Sequence, residues 1–306
     1  MKNQHKILLS GHREVQFLNN SINMLIIGGD NRQLHMADFL EEKGFKISLY
    51  GIKDDKRKCV ENLKSAIADS DIIIFPLPVT KDGKTLNSNV KIKENIDEII
   101  SMINGEKIVF GGIIGKGSEN KLKNKNIRFF DYFSREDLTL KNTVPTVQGI
   151  LKVIIENIDY TIHSSEIAVF GYGRVAKVTA DVLASIGAKM TVCARKKSDL
   201  VSAELKHLKG CRINEFYSVA DKFDIIINTV PQMVIDKSII ENIRKDCLII
   251  DVSSAPYGVD FASAHDSGIR AFQCPSLPGK VAPKTAGIII GETIIDILKE
   301  ENLWIN

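Results

Sequence analysis

The chain has 306 residues, 44% of them apolar and 26% charged, with a formal net charge of +3. That is length enough for two cores and too little charge for a general nucleic-acid or membrane-surface role. Five cysteines, at 59, 193, 211, 247 and 274, are odd in number and include no C-x-x-C pair, which excludes a disulfide framework and a zinc site and fits reduced thiols in a cytosolic protein.

No apolar run approaches the ~20 residues that a membrane span needs. The first 22 residues are polar, contain Arg13 and Glu14, and lack an apolar stretch followed by small residues. They read as an extension, residues 1–22, and not as a signal peptide. Met24 to Ile27 then read as a strand, followed by Gly28-Gly29-Asp30-Asn31-Arg32, a helical pattern through Leu34, Phe39 and Leu40, and a returning strand from Phe45 to Tyr50. This βαβ unit lacks the full G-x-G-x-x-G spacing. A Rossmann-like domain without a dinucleotide of its own is expected, its loop free to hold substrate. Asp71 to Pro78 reads as a strand stopped by proline, Ile92 to Met102 as a helix, and Lys107 to Phe110 as a strand entering the glycine-rich turn Gly111 to Gly115. The basic segment Lys116 to Arg128 reads as a solvated helix face. Strands alternating with helices imply a parallel sheet covered on both faces. In Asn142-Thr143-Val144-Pro145-Thr146-Val147-Gln148-Gly149, Thr143 is the expected N-cap, and the helix through Ile158 would connect the domains.

The strand Glu166 to Phe170 leads into Gly171-Tyr172-Gly173-Arg174-Val175-Ala176, a helix to about Ile186, a stop at Gly187, and a strand from Lys189 to Ala194. A G-x-G-x-x-A turn between strand and helix is a dinucleotide-binding βαβ unit. Gly171 permits the tight turn, Gly173 lets a pyrophosphate approach the backbone, and Ala176 keeps helix and strand close. The anion sits on the helix N-terminus. The second strand ends in Arg195-Lys196-Lys197-Ser198 with no carboxylate before Asp199, so NADP is favoured, with NAD as the alternative. Beyond it come a helix at Ala203 to Leu208 and strands at Asp224 to Asn228, Cys247 to Val252 and Arg270 to Phe272. Their carboxyl-end turns face the cofactor. A last helix, begun by Val281-Ala282-Pro283-Lys284-Thr285-Ala286-Gly287, packs back on the first domain.

The fold class that follows is α/β, two Rossmann-like doubly wound parallel-sheet domains with a cleft between them. Residues 23–141, joined by a closing helix in 283–306, form a substrate domain, and residues 142–282 form the NAD(P)-binding domain. Cofactor contacts are expected from Gly171, Gly173, Arg174, Val175, Arg195, Lys196, Ser198, Thr229, Val230, Pro231 and Ser253. A 2-hydroxyacid dehydrogenase of this architecture would need an arginine after the strand at Ile249 to Val252 and a histidine at Cys274 to Pro278; neither is present. No metal-ligand spacing or nucleophile–histidine pair stands out. What remains near the cleft is a set of cations and polar groups, Arg32, Asn142, Thr143, Ser253, Ser254, Lys280 and Lys284, suited to a substrate bearing carboxylates. Arg32, Asn142 and Lys284 are the catalytic candidates, with Arg32 and Lys284 holding carboxylates from opposite walls.

Gly28-Gly29-Asp30-Asn31-Arg32-Gln33, the Asn142 to Gly149 motif, Asp159-Tyr160-Thr161-Ile162-His163, Gly171-Tyr172-Gly173-Arg174 and Leu277-Pro278-Gly279-Lys280-Val281-Ala282-Pro283-Lys284-Thr285-Ala286-Gly287 resemble the A-subunit family of dipicolinate synthase, from Met24 onward. The resemblance implies an enzyme of sporulating bacteria, in the cytoplasm of the mother cell. Its reaction would oxidise a dihydrodipicolinate, derived from 4-hydroxy-tetrahydrodipicolinate, to dipicolinate with a nicotinamide cofactor, beside a flavoprotein-like B subunit. A homo-oligomer is also expected, with no nucleic-acid or membrane partner. Two alternatives stay open. One is an NADP enzyme of the methylenetetrahydrofolate dehydrogenase type, which shares a turn like Pro278-Gly279-Lys280-Val281-Ala282-Pro283-Lys284-Thr285. The other is a non-catalytic nucleotide-binding subunit.

Overall fold

Runs of isoleucine set the positions of the central strands. The structure, a computed structural model, describes Phe17, Leu18 and residues 22–305; the expected extension 1–22 therefore lies, but for Phe17, Leu18 and Ile22, outside the described residues. In chain order the elements begin with β1 (Phe17–Leu18), β2 (Asn23–Ile27), α1 (Asn31–Glu42), β3 (Lys46–Tyr50), α2 (Leu63–Asp69) and β4 (Ile72–Ile74). There follow α3 (Ile96–Met102), β5 (Ile108–Gly111), α4 (Lys116–Asn124), β6 (Arg128–Asp131), α5 (Glu136–Lys141) and α6 (Thr143–Asn157). Next are β7 (Glu166–Phe170), α7 (Arg174–Ser185), β8 (Lys189–Ala194), α8 (Lys197–Glu204), β9 (Lys209–Arg212) and β10 (Ile225–Asn228). The chain closes with α9 (Lys237–Ile240), β11 (Leu248–Asp251), α10 (Phe261–Asp266), β12 (Arg270–Gln273), α11 (Leu277–Val281), α12 (Pro283–Glu300) and β13 (Trp304–Ile305).

The described residues divide into two compact units, one ending at Lys141 and resuming at Pro283, the other Asn142–Ala282. In the first, five parallel strands lie in the order β3-β2-β4-β5-β6, and the order reverses between β2 and β4. Along β2, Met24 and Ile26 enter the core of one face while Leu25 and Ile27 enter the other, as the two-residue period of a strand requires. The second unit has six parallel strands in the order β12-β11-β10-β7-β8-β9, the doubly wound order of dinucleotide-binding domains. Its switch point falls beside β7, whose Ile167 and Val169 face one core and Ala168 and Phe170 the other. The two doubly wound parallel sheets read from the sequence are both present. No helix among the described residues is long and apolar enough to cross a membrane.

Several boundaries differ from the sequence reading, each for a visible reason. The basic segment is helical only through α4, and its end is β6, an edge strand. Phe129 and Phe130 of β6 pack on opposite faces of the sheet, Phe130 stacking on Phe110 at a centroid distance of 5.4 Å. Helix α8 spans Lys197–Glu204 and not Ala203 to Leu208; it stops early, and the backbone of His207 turns left-handed, with φ +61°, on the way into β9. The N-cap of α6 is Asn142 in helical conformation, directly after α5, which puts Thr143 inside the first turn.

Helix α12 packs on α1 through two glycines spaced four apart. A Cβ on Gly287 would lie 2.3 Å from the Arg32 carbonyl and 2.9 Å from the Met36 nitrogen, and one on Gly291 would lie 2.6 Å from the Phe39 ring. Only residues without a side chain allow this backbone-to-backbone approach. The pairing rises together in both helices, so they run side by side in the same direction, with their N-termini at one end.

Candidate functional site

In the second unit, the turn after β7 is built around two glycines with different duties. Gly171 has φ +90° and donates its N–H to the Cys193 carbonyl at 2.8 Å; a Cβ there would meet Thr229 Oγ1 at 2.7 Å. Both its backbone and its space demand glycine. Gly173 is unlike it. Its φ of −79° suits any residue, and a Cβ there would meet nothing within 4 Å. The fold does not need glycine at 173, and the space beside it is open. Gly173 provides no side-chain cap for α7, so no side-chain oxygen of that residue fills the N-cap place at the start of this helix. A helix of twelve residues that begins in this way has the N–H groups and dipole that could hold an anion. Ala176 is fully buried beneath it.

At the carboxyl ends of β8 and β10, on either side of β7, a pocket of 300 Å³ is lined by Arg195, Asn214, Tyr217, Gln232, Met233 and Val234, among others. Arg195 lines it; Arg195, Lys196 and Ser198 are exposed, and no ion pair engages either cation among the described residues. Tyr217 and Met233 are 56% and 58% exposed, apolar surfaces a planar base could cover. Sequence reasoning missed both, since nothing in a sequence distinguishes an exposed aromatic from a core one. Of the remaining expected contacts, Thr229 is engaged with the protein itself, its hydroxyl donating to the Phe170 carbonyl at 2.7 Å. Val230 lies 3.0 Å from where a Gly171 Cβ would be. Both act as buttresses of the turn. Pro231 is exposed. Ser253 is 5% exposed and its Oγ, fully buried, has no hydrogen-bond partner among the described residues; an orphaned buried hydroxyl at a strand's carboxyl end is what a ligand group would satisfy. These residues fit a nicotinamide dinucleotide: Gly173 and the α7 N-terminus for the pyrophosphate, Arg195 to Ser198 for a ribose phosphate, and Ser253 for the other end.

The equivalent turn of the first unit is closed. Gly28 and Gly29 have φ +72° and +106°. The segment 86–89 lies directly over them: Gly29 donates to the Asn87 carbonyl at 2.8 Å, and Asn89 donates to the Gly29 carbonyl at 2.9 Å. A Cβ on Gly28 would be 2.8 Å from Leu86, and one on Gly29 2.4 Å from Gln33 Oε1. The loop is therefore not free to hold substrate, contrary to the expectation from its sequence. Asp30 caps α1 by accepting the Arg32 N–H at 2.9 Å, and the Gln33 side chain accepts the Asp30 N–H at 2.9 Å, completing a capping box.

Arg32 is 6% exposed. Its Nε and Nη2 hold the Asp30 carboxylate at 2.9 and 2.8 Å, and Nη2 also donates to the Leu77 carbonyl at 2.7 Å, tying together the two turns at the switch point. Burial pushes the Asp30 carboxyl up, but the Arg32 hydrogen bonds and charge outweigh it and hold the group below its ordinary range. Nη1 makes no hydrogen bond among the described residues. Lys284, in the first turn of α12, is exposed and has no ion pair among the described residues. Because α1 and α12 run in one direction, Arg32 and Lys284 stand on neighbouring helix N-termini of one unit. They are not on opposite walls of a cleft. Asn142 belongs to the other unit together with the whole cofactor set; its side chain does not cap α6, and its Oδ1 is buried without a partner among the described residues. Tyr132, fully buried, donates its O–H to the Phe75 carbonyl at 3.0 Å, and burial pushes its pKa up, so it is no proton acceptor.

The motif glycines at 149 and 287 are packing residues: a Cβ on Gly149 would lie 2.7 Å from Leu277, as one on Gly287 would collide with α1.

Comparison with known proteins agrees with this geometry. Residues 23–133 match the family described as the N-terminal domain of the dipicolinate synthase A subunit, and residues 161–293 match the NADPH-binding domain of acetohydroxy acid isomeroreductase. The dipicolinate synthase A subunit of Bacillus subtilis (strain 168) is 32% identical over 287 residues, covering 91% of this chain and 96% of that protein. The solved A chain of dipicolinate synthase from Bacillus subtilis matches with a TM-score of 0.80 at 31% identity, covering 92% of this chain and 96% of that one. The structure of the A subunit from Bacillus halodurans gives 0.79 at 30%, covering 90% and 97%. A transhydrogenase from Sinorhizobium meliloti, at 12% identity and a TM-score of 0.65 over 90% of this chain and 92% of that one, shares the fold. These likenesses place the chain among NAD(P)-dependent dehydrogenase-like proteins.

Proposed function

This chain belongs to the A-subunit family of dipicolinate synthase, and from that premise we propose that it is an NADP-dependent dehydrogenase oxidising a dihydrodipicolinate, formed from 4-hydroxy-tetrahydrodipicolinate, to pyridine-2,6-dicarboxylate. The observation that carries the cofactor half is the start of α7, with no side-chain cap and an open Gly173 beside it. The cations at Arg195 and Lys196, without a carboxylate before Asp199, favour NADP over NAD, since they complement a 2′-phosphate where an acid would repel it.

A bound nicotinamide would supply the acceptor for the hydride that leaves the dihydropyridine. Loss of that hydride and one proton makes the product aromatic, so the intrinsic driving force is large and the protein's task is mainly positioning. That accounts for a site rich in cations and poor in activated nucleophiles. Arg32, held rigid by Asp30 and the Leu77 carbonyl, and Lys284, fixed at a helix start, bind the substrate's carboxylates. Asn142 offers its unpartnered Oδ1 to the substrate as an acceptor. A hydroxyl or water relay takes the proton. The flavoprotein-like B subunit is the partner this reading includes, together with self-association and a place in the cytoplasm of the sporulating mother cell.

The test is direct: purified protein, enzymatically made 4-hydroxy-tetrahydrodipicolinate, and NADP or NAD, following dipicolinate absorbance. Aromatic product formed faster with NADP is the expected result. No product with either cofactor, with or without the B subunit, would overturn the reading.

A further inference from the structure

Two polar side chains end the central strands of the second unit where isoleucine would otherwise continue. Asn228 closes β10 after Ile225-Ile226-Ile227, and Asp251 closes β11 after Leu248-Ile249-Ile250; they are register partners, each 0% exposed. Burying an amide and a carboxyl group is costly unless every polar atom finds a partner, and here every one does. Asn228 Oδ1 accepts the Val230 N–H at 3.0 Å, and its Nδ2 donates to the Val230 carbonyl and to Asp251 Oδ1, both at 3.0 Å. Asp251 Oδ1 also accepts the Ser253 N–H at 2.8 Å, and Oδ2 accepts the Gly258 N–H at 2.9 Å. A Cβ on Gly258 would lie 2.4 Å from Asn228 Nδ2 and 2.5 Å from the Val230 carbonyl, so glycine there is part of the same construction.

Strand pairing needs none of these bonds, since apolar residues would serve the sheet equally well. What the bonds determine is the path of the two turns beyond the sheet. One carries Thr229 and Val230, which close over Gly171. The other carries Ser253 and its orphaned hydroxyl.

We propose that Asn228 and Asp251 are a positioning pair that sets the two turns of the cofactor cradle that follow β10 and β11. The proposal rests on the dinucleotide reading of this unit and adds residues to it that touch no cofactor atom themselves. In Asp251→Asn, one of the two carboxyl oxygens becomes an NH₂ group facing either the Gly258 N–H or the Ser253 N–H and Asn228 Nδ2. Whichever it faces, a donor is set against a donor, and at least one turn is released.

The experiment reads NADPH affinity beside the thermal melt and far-UV circular dichroism of each variant. By titration, Asp251→Asn should weaken NADPH by about ten- to thirty-fold, the scale of one or two lost buried hydrogen bonds, while it keeps the parent's circular dichroism and a cooperative melt. Asn228→Ser, smaller and polar, should show the same pattern, and combining the two should add little, because both remove one network. Parent-like NADPH affinity in either folded variant, or binding lost only together with the cooperative melt in both, would overturn the proposal. Gly173→Val is measured alongside. If it binds NADPH like the parent, the cradle itself is misassigned; if it loses binding while Asp251→Asn keeps it, the positioning role alone is wrong.

Discussion

The turns Gly28-Gly29 and Gly171-Tyr172-Gly173 hold the same place in two doubly wound sheets, between a central strand and the helix that follows, yet one is filled and the other is open. The helix N-terminus that attracts an anion comes with the fold in both. In the first unit Asp30 supplies the anion from the chain itself, Gln33 completes the cap, and Leu86 and Asn87 cover the glycines. In the second, Gly173 gives α7 no side-chain cap, and nothing lies within 4 Å of a Cβ built on it. The capacity to bind a dinucleotide thus depends less on the presence of glycines than on what the rest of the chain places over them.

That contrast can be broken most sharply at Gly173. Because a Cβ there meets no protein atom, Gly173→Val should leave the melting temperature unchanged and weaken NADPH by on the order of a hundred-fold or more, read by titration beside a thermal melt. A variant that binds like the parent would show that this turn holds no pyrophosphate. Next in size are the cations of the filled unit. Removing Arg32 or Lys284 should lower turnover efficiency about ten- to a hundred-fold through lost charge-assisted contacts, with NADPH affinity retained. They differ in one respect: Arg32→Ala should also lower the melting temperature, since it unpairs Asp30 and frees the Leu77 carbonyl, whereas Lys284→Ala should not. Full activity in either variant removes that residue from the site.

Gly29→Ala sharpens the comparison from the other side. A side chain at φ +106° and 2.4 Å from Gln33 Oε1 should cost about 1–3 kcal/mol of stability without altering NADPH affinity; a chemical denaturation curve and a titration measure the two. An effect on cofactor binding would mean that the first turn takes part in it. The smallest expected change is in cofactor choice. Arg195→Asp should weaken NADPH by about ten-fold and spare NADH, as a carboxylate would stand opposite the 2′-phosphate. Equal loss of both would assign Arg195 to the adenine side of the pocket.

Much of this was legible in the sequence, and the exceptions have a common cause. The G-x-G-x-x-A turn was readable because each small residue answers a local steric demand. The isoleucine strands were readable because a strand buried on both faces has no other composition. Strand β9, with three exposed residues of four, owes its place to pairing with β8, and no hydrophobic pattern marks it. The cover over Gly28 and Gly29 comes from residues nearly sixty positions away, a tertiary contact with no local signature. Two features did leave signals that could have been used. Gly287 and Gly291, four apart in α12, announce a close helix contact, the one that packs α12 on α1. Asn228 and Asp251, polar ends on apolar strands, announce a buried network at the carboxyl edge.

Hydrogen exchange at the two turns, with and without NADPH, tests the central claim most directly. One equivalent of NADPH should protect the amides of Gly173 to Ala176 and leave those of Gly28 to Gln33 unchanged. Protection at Gly28 to Gln33, or binding without protection at the start of α7, would contradict it.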